Sequence, residues 1–240
     1  MQQIFIADLH LSDDHPRLIR GFLSLLAHYQ SEPTEMYILG DWFNAWLSDR
    51  DPSDWLLPMV KQLREFTATG NQVYFLCGNR DFLLGQRFLD RFGGKLLQEP
   101  YTYQWQGLTV RLEHGDALCT DDVEYQRFKR IIRNPILLGF LKLFPFYLKR
   151  RLADYARQKS QNRQQNAHYQ PVDVNQAEVA KQMQNVDLLI HGHTHRPAIH
   201  NLENGKQRIV LGDWREDTGT AKILLLKSAQ DFSFFDWQFE

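Results

Sequence analysis

Cysteine is scarce in this chain, with two residues among 240. Cys77 and Cys119 are too few to build a disulfide framework, and neither has the second thiol or the basic neighbours of a catalytic cysteine. We therefore expect both to be reduced thiols that act as small buried packing residues.

Glycine and proline number only 14 and 9, which excludes collagen-like and low-complexity sequences. With 43% hydrophobic and 24% charged residues, the composition is typical of a globular protein. A long hydrophobic run is also lacking, because the most apolar stretch, 131–148, is interrupted by Lys142, whereas a spanning helix needs about 20 predominantly apolar residues. The N-terminal residues have neither the basic nor the apolar part of a secretory signal, so we expect a cytoplasmic location.

Charge is unevenly distributed, although the formal net charge of the whole chain is only −1. The segment 127–163 holds eleven Lys or Arg and one acid, Asp154, so it carries +10 and leaves −11 for the rest. The same segment is rich in Leu, Ile and Phe. We therefore expect it to meet a different partner from the rest of the molecule, as an interfacial or lid element.

Short apolar runs alternate with amphipathic stretches in the first third of the chain. The runs are 4–7, 36–39 and 73–76, and the helical stretches are 17–29 and 56–69. This alternation indicates βαβ units whose strands are covered on both faces.

The second half of the chain changes character. Strands are predicted at 108–113 and 186–190, and the runs 208–211 and 221–226 are expected to form a closing antiparallel pair. The basic apolar segment falls between the fourth and fifth strands. We predict one α/β domain over 1–240, with a helical insertion at about 122–170.

A side chain able to bind a metal ion follows nearly every predicted strand. The set comprises Asp8, His10, Asp41, Asn79, His114, His193 and His195. Ligands of open α/β sheets collect at the carboxyl ends of the strands, so these seven donors are expected to meet in one place. His191 ends a buried strand, and we assign it a structural or supporting role.

Local spacing supports this expectation. Asp8 and His10 stand two residues apart, so an extended backbone would point both side chains to the same side. Gly40 and Gly78 each stand directly before a candidate ligand, where a side chain would block the approach of the backbone to the ion.

Seven donors are too many for one tetrahedral ion and suit two ions that share a carboxylate, about 3.5–4 Å apart. Carboxylate, amide and imidazole ligands without thiolate favour Mn, Fe or Zn. Each motif alone is common by chance or in ordinary turns. The order of the motifs, each behind an apolar strand, is what chance does not explain.

Five blocks of the sequence together resemble the signature of the calcineurin-like metallophosphoesterases. They are Asp8-x-His10, Gly40-Asp41, Gly78-Asn79-x-Asp81, His114-Gly115-Asp116 and Gly192-His193-x-His195. The resemblance implies an α/β sandwich of two mixed β-sheets flanked by helices, with a helical lid insertion. It also implies two metal sites, which share Asp41. The first would take Asp8, His10, Asp41 and His195, and the second Asp41, Asn79, His114 and His193.

One position departs from a pattern common in that family. Many members have a histidine after the block's asparagine, where it acts on the leaving group, and this chain has Arg80. A leaving phosphate, whose second pKa is about 6, needs no proton from such a group. A guanidinium can instead hold phosphate oxygens through two hydrogen bonds. Arg80 therefore favours cleavage of a pyrophosphate over that of a simple monoester.

A longer match indicates one branch of the family. The chain reads GNRDFLLG at 78–85 and HGDALCTDD at 114–122, followed by the basic insertion. These features resemble enzymes of lipid A biosynthesis that hydrolyse UDP-2,3-diacylglucosamine to UMP and 2,3-diacylglucosamine 1-phosphate. The branch implies two Mn²⁺ ions per chain, with Mn preferred over Fe or Zn, and acyl chains housed under the lid.

The same resemblance implies a peripheral location on the cytoplasmic face of the inner membrane, with membrane lipid as a partner and neither nucleic acid nor an obligate protein partner. Catalytic roles would fall to Asn79, Arg80 and His114. Substrate contacts would fall to Asn79, Arg80, Asp122, Ser160, Gln164, Ala167 and His193. Two of these lid positions, Gln164 and Ala167, hold Asn and Lys in some members.

Two other functions remain open. A nuclease or dinucleoside polyphosphate hydrolase of the same fold would use the basic segment to follow phosphates, but such grooves usually combine cations with stacking aromatics or polar donors. In this segment the cations stand among Leu, Ile and Phe. A non-catalytic protein on this fold would be expected to have lost ligands, and all seven candidates are present.

Overall fold

The computed structural model of the protein describes residues 1–134, 136–139, 144, 148, 151 and 172–240. In these residues the chain forms two mixed β-sheets that pack face to face, with helices on their outer faces. The strands are β1 (Gln2–Ile6), β2 (Thr34–Leu39), β3 (Gln72–Leu76), β4 (Lys95–Leu96), β5 (Tyr101–Trp105), β6 (Leu108–Glu113), β7 (Leu188–His191), β8 (Ala198–Asn201), β9 (Gln207–Val210), β10 (Trp214–Arg215), β11 (Thr220–Ser228) and β12 (Asp231–Gln238). The helices include α1 (Pro16–His28), α2 (Leu56–Ala68), α3 (Gln86–Leu89), α4 (Val123–Ile132) and α5 (Gln176–Gln182).

The first sheet has the strand order β10-β11-β1-β2-β3-β4, with β12 paired to β11. Strands β1, β2 and β3 run parallel to one another, and β11 joins β1 in the antiparallel direction. The parallel strands are connected through α1 and α2, as the alternation of apolar runs and helical stretches predicts.

The second sheet has the order β5-β6-β7-β9-β8. Its central strands β6, β7 and β9 are parallel, and the outer pairs are antiparallel. The expected closing pair of 208–211 and 221–226 is wrong, because β9 lies in the second sheet and β11 in the first. Each run is instead antiparallel to a less apolar strand of its own sheet, β9 to β8 and β11 to β12. In such edge strands apolar and polar residues alternate, and this alternation is a weaker sequence signal for a strand than a continuous apolar run.

Three apolar layers hold the sheets and helices together. The largest lies between the first sheet and its helices and contains Phe22, Trp42 and Phe75. The second fills the space between the sheets, where Phe5 from β1 and Ile190 from β7 are both fully buried. The third lies between α5 and the outer face of the second sheet. Both sheets are therefore covered on both faces over their central parallel strands.

This packing brings two sets of strand ends to one rim. Strands β1, β2 and β3 of the first sheet and β6 and β7 of the second all end close to the loops that carry the candidate ligands. The backbone links confirm the proximity, because the N–H of Gly192 donates to the carbonyl of His114 at 2.8 Å, and the N–H of Asp8 to that of Gly40 at 3.2 Å.

Two smaller expectations can be compared with the structure. Cys119 is buried and Cys77 partly buried, and burial raises the pKa of the Cys119 thiol to about 12. In the described ranges, none of the helices is both long and apolar enough to cross a bilayer.

Helix α1 shows how closely the first layer is packed. Its N-terminus carries Pro16 in the first turn, and its apolar side is buried against the sheet. On the same helix, Gly21 lies under the C-terminal strand, where its carbonyl accepts from Nε1 of Trp237 at 3.1 Å. A Cβ placed at Gly21 would lie 2.5 Å from the ring of Phe239. The helix therefore needs glycine here for close contact and not for a turn.

We expect Gly21→Ala to destabilise the protein, although alanine is the better helix former by about 1 kcal/mol. Overpacking against Phe239 costs typically 1–3 kcal/mol and outweighs that gain. Glu65→Ala on the exposed side of α2 is the control and should change the free energy of unfolding by no more than about 0.5 kcal/mol. Urea unfolding measures both, and equal stability of the two variants would contradict the packing argument.

Candidate metal centre

All seven candidate ligands lie at this rim, as their positions after successive strands predict. Single donor atoms of Asp8, Asp41 and His114 lie within 4.8 Å of one another, and so do those of Asp8, His10 and His195. Asp8 belongs to both groups and is fully buried, and Asp41 is 2% exposed. Two buried carboxylates are thus surrounded by imidazoles from three different loops.

One half of the cluster joins the loops after β1, β2 and β7. Nε2 of His195 lies 3.4 Å from Oδ1 of Asp8, and Nδ1 of His10 lies 4.0 Å from Oδ2 of Asp41. Nδ1 of His195 is 3.6 Å from a carboxylate of Asp213. The two imidazole rings of His10 and His195 are 5.5 Å apart.

The other half is centred on the side-chain amide of Asn79. Its Oδ1 lies 2.9 Å from Nε2 of His114 and 3.0 Å from Nδ1 of His193. Nδ1 of His114 lies 2.9 Å from the carbonyl of Leu39 and donates to it, so Nε2 is the nitrogen that would bind an ion once it has lost its proton. Nε2 of His114 also lies 3.7 Å from Oδ1 of Asp41, so this half meets the first at that carboxylate.

The residues present fit divalent cations. Within the residues that the structure describes, Oδ1 of Asp8 and both ring nitrogens of His10 are buried without a hydrogen-bond partner, which is costly unless another group satisfies them. Carboxylate, amide and imidazole donors without thiolate are suited to hard or borderline metals. A cation in each half would use these lone pairs and neutralise the two buried carboxylates.

The pKa values of these groups respond to burial and to the two carboxylates. Burial disfavours the charged form of Asp8, but the imidazole of His195, 3.4 Å away, and the charge of His114 hold the pKa of Asp8 well below its usual range. Burial also acts against a charged His114, yet Asp41 and Asp8 raise the pKa of His114 to about 9, so this ring would give up a proton to a bound cation. Burial lowers the pKa values of His10 and His193 to about 4. At neutral pH these two rings are therefore in the neutral form that binds metals.

The backbone reaches the centre by an unexpected route. The prediction of an extended backbone from Asp8 to His10 is wrong, because Asp8 and His10 have left-handed φ values of 54° and 52°. Asp41, His193 and His195 are also left-handed, with φ of 51°, 70° and 54°. Such residues cost about 1–3 kcal/mol each and persist where the surrounding structure holds them, which is common at functional sites. The turns aim the side chains, and strand alternation does not.

Glycine provides the space between neighbouring loops. A Cβ on Gly78 would lie 2.2 Å from Oδ1 of Asp41, and one on Gly40 would lie 2.5 Å from Nδ1 of His114. The glycine before each ligand was expected to clear the approach to the ion. In the structure it clears the approach of one ligand loop to the next, so the two carboxylates and the amide can share one cleft.

Asp81 supports the site. It is the acid of the Gly78-Asn79-x-Asp81 block, but the sequence alone predicted no role for it. Its fully buried carboxylate accepts from the backbone N–H of Gly78 at 2.7 Å and of Trp42 at 2.8 Å. It thereby ties the loop after β3 to the loop after β2. Burial and the neighbouring charge of Asp41 raise the pKa of Asp81 to about 7. The signal was an acid two positions after Asn79.

Arg80 faces the cluster, as the sequence argument expects. Its Nη1 donates to Oδ1 of Asn44 at 2.8 Å, and its Nε lies 3.4 Å from Oδ2 of Asp41. Its backbone N–H donates to Oδ1 of Asp41 at 2.9 Å. The Arg80 side chain is 36% exposed, so it is held in place and still open to a ligand. Asn44 was not anticipated, because nothing in its local sequence distinguishes it.

Helix α4 is attached to the centre through a buried acid, Asp116. Its carboxylate accepts from Nζ of Lys129 at 2.9 Å and from the hydroxyl of Tyr125. Arg133 lies 3.8 Å from Asp116 and 3.4 Å from Glu99, and it donates to the carbonyl of Gly78 at 3.0 Å. Part of the basic segment is therefore neutralised inside the molecule and does not form an outward surface.

The remaining sequence assignments concern the insertion. Asp122 caps α4, because its side chain accepts from the N–H of Tyr125 at 3.0 Å. Ser160, Gln164 and Ala167 lie outside the described residues, as does most of the segment 122–170.

Comparison with known proteins places this centre in a family. The calcineurin-like phosphoesterase family model matches residues 1–197. Curated UDP-2,3-diacylglucosamine hydrolases from Pseudomonas fluorescens (strain SBW25), Marinobacter nauticus and Yersinia pestis are 43%, 42% and 39% identical to this chain. The alignments cover 88%, 90% and 93% of this chain and 87%, 91% and 95% of those proteins.

Among solved structures, that of a novel archaeal phosphodiesterase aligns with a TM-score of 0.53 at 15% identity, over 98% of this chain and 99% of the other. At that identity the likeness concerns the fold, and it agrees with the sandwich of two mixed sheets. The chain therefore belongs to the calcineurin-like phosphoesterase family, in the branch that the curated UDP-2,3-diacylglucosamine hydrolases represent.

Proposed function

We propose that this protein hydrolyses the pyrophosphate bond of UDP-2,3-diacylglucosamine to UMP and 2,3-diacylglucosamine 1-phosphate, a step of lipid A biosynthesis. One observation carries the proposal. In a chain 39–43% identical to enzymes named for that substrate, seven metal-binding side chains share one cleft with Arg80. The direct test is incubation of the metal-loaded protein with this substrate, with identification of both products.

Each half of the centre has its own donors in this proposal. Asp8, His10 and His195 hold one ion, Asn79, His114 and His193 hold the other, and Asp41 contributes to both. When bound, the two ions supply an activated water and stabilise charge on the phosphoryl oxygens. The protein contributes rigid placement, because hydrogen bonds from the backbone and from neighbouring side chains hold the ligands before any ion arrives.

Arg80 acts on the substrate. Its guanidinium is held by Asn44 and Asp41 with part of its surface open, so it can donate to phosphate oxygens without first being ordered. A preorganised donor stabilises the charge that develops in the transition state. No general acid is needed for the leaving group, because a phosphate monoester leaves with a pKa of about 6.

Manganese is the ion we propose for both sites. The donor set contains three carboxylate or amide side chains, whose oxygens suit Mn²⁺, and four imidazoles, which bind several transition metals. A site built from thiolates would suit Mn²⁺ less well. Zinc and iron share part of this preference. Two measurements distinguish manganese, zinc and iron: metal analysis of protein purified from cells grown without added metals, and the activity after reconstitution with each ion.

The outer side of α4 provides the surface for a lipid. Phe128 is 51% exposed and Ile131 is 64% exposed, and a cleft of about 450 Å³ beside them is lined by Arg127, Arg130 and Leu137. The inward cations of this helix are already paired with acids. We propose that this apolar surface contacts the acyl chains and the membrane, where well-placed cations contribute about 1 kcal/mol each with anionic lipid.

Asp41→Ala should reduce activity more than the loss of any other single ligand, because this residue serves both halves of the centre. We expect a fall in kcat beyond the roughly 10²–10³-fold that the loss of one preorganised donor causes, and a fall in bound metal measured by elemental analysis. Asp13→Ala, at an exposed acid, is the control. Two tightly bound ions and near-normal turnover in the Asp41 variant would show that it does not bridge.

Arg80→Ala should lower kcat by roughly 10²–10³-fold through loss of one transition-state donor, while bound metal stays unchanged. Arg80→His introduces an acid in place of the guanidinium and should not restore the rate on the natural pyrophosphate. Steady-state kinetics and metal content measure both. Full activity of the histidine variant would contradict the argument that a leaving phosphate needs no acid.

Substrates with shorter acyl chains should bind more weakly, by about 0.8 kcal/mol per methylene, or roughly fourfold in affinity. The double substitution Phe128→Ser and Ile131→Ser should reduce this dependence and weaken sedimentation with anionic liposomes at low salt. The matched control is Leu57→Ser, which removes a 55% exposed leucine on α2. Equal catalytic efficiency on UDP-glucosamine without acyl chains would contradict the proposed acyl site. The lack of any liposome binding would contradict the proposed membrane contact.

A further inference from the structure

A second polar cleft lies over β8 and β9 and has a volume of about 270 Å³. Its polar lining consists of Asp173, Thr194, Arg196, His200 and Arg208. On β9, the neighbour Ile209 belongs to the apolar layer between the sheets, so Arg208 projects from the opposite, outer face. None of the five side chains belongs to the candidate metal centre.

Arg208 is the unusual member of this group. The residue is 5% exposed, its Nη1 lies 3.2 Å from Nε2 of His191, and its Nε has no hydrogen-bond partner in the described part of the chain. Among the described residues no carboxylate forms an ion pair with it. A buried guanidinium that is bonded to an imidazole nitrogen and to no carboxylate of the described residues, with one donor unsatisfied among them, is unfavourable unless another group satisfies it.

The carboxylate of the lining, Asp173, attracts Arg208 but forms its ion pair with Arg196. Arg196 and Asp173 form their own pair, with Nη1 of the arginine 2.7 Å from Oδ2 of the aspartate. His200 lies directly across from Arg208 in the pairing of β8 with β9. Burial, and to a smaller extent the charge of Arg208, lower the pKa of His200. Counted over its described lining, the cleft has two guanidinium groups to one carboxylate, so it keeps an excess positive charge and several donors, the hydroxyl of Thr194 among them.

We propose that this cleft binds a phosphate group, either as inorganic phosphate or as a phosphate monoester, with Arg208 as its principal cation. A guanidinium fork matches two phosphate oxygens, and the Thr194 hydroxyl and the Arg196 guanidinium offer donors to a third. The donors come from two strands and a loop and surround the cleft, which suits a tetrahedral anion with several acceptors. This site is separate from the metal centre and does not depend on the function proposed for that centre.

The test is a titration of ¹⁵N-labelled protein loaded with Mg²⁺, in which NMR monitors the arginine Nε–H signals at each step. The probes are inorganic phosphate, UMP and glucosamine 1-phosphate, which distinguish free phosphate from a nucleotide or a sugar phosphate. We expect the Nε–H signal of Arg208 to shift and saturate with at least one of them. The signal is assigned by its loss in Arg208→Lys, which keeps the charge, and in Arg208→Gln.

Two further variants locate the site. Arg196→Gln should raise the apparent Kd several-fold, because it removes a lining donor, and Arg87→Gln on the exposed side of α3 should leave the Kd unchanged. The shift should persist in Asp41→Ala, in which the metal centre is disrupted. The titration uses the unsubstituted protein, and the assignment of the signal needs only one of the two Arg208 variants to fold.

The proposal is overturned by any of three results. The Arg208 signal does not move with any of the three probes at large excess, or the shift disappears in Asp41→Ala and is therefore transmitted from the metal centre, or Arg196→Gln binds with the affinity of the parent protein. Each result would leave Arg208 as a structural partner of His191 alone.

Discussion

Two carboxylates, Asp8 and Asp41, are buried close together at the rim where the parallel strands of both sheets end. Like charges in such a place repel each other and are poorly solvated, so the arrangement is unstable without countercharge. Imidazoles and Arg80 supply part of it, and divalent ions would supply the rest. The remaining features of the rim are best understood as conditions for this close approach: glycines where loops meet, left-handed turns, and a buried acid that ties two loops together.

The same constraint explains why the centre has rigid surroundings. Five of the seven candidate ligands have positive φ, a conformation that is unfavourable for non-glycine residues and has to be compensated by neighbouring contacts. Those contacts come from the loops themselves, as in the hydrogen bond of 2.8 Å from the N–H of His193 to Asp8. The apolar layers on both sides of each sheet keep the strand ends in register. Stability of the fold and placement of the ligands are therefore linked at the rim.

Helix α4 connects the centre to the surface proposed for lipid. On its inner side Lys129 and Arg133 are paired with Asp116 and Glu99, and on its outer side Phe128 is exposed. Arg133 also donates to the carbonyl of Gly78, beside Asn79. A high count of basic residues therefore serves two purposes in this segment: some cations attach the helix to the core, and others remain beside the apolar surface.

The sequence by itself determined the candidate ligand residues, the βαβ order of the first sheet and the family, because short apolar runs followed by polar donors are local patterns that survive in any context. Only the tertiary structure decided how these residues meet. The turns at Asp8 and His10, the separation of β9 from β11 into different sheets and the support given by Asn44 and Asp81 depend on contacts between residues far apart in the chain. The cleft at Arg208 belongs to this second group, because a lone arginine in a strand has no sequence signal, and its lack of an ion pair with any described residue becomes evident only when its neighbours in space are known.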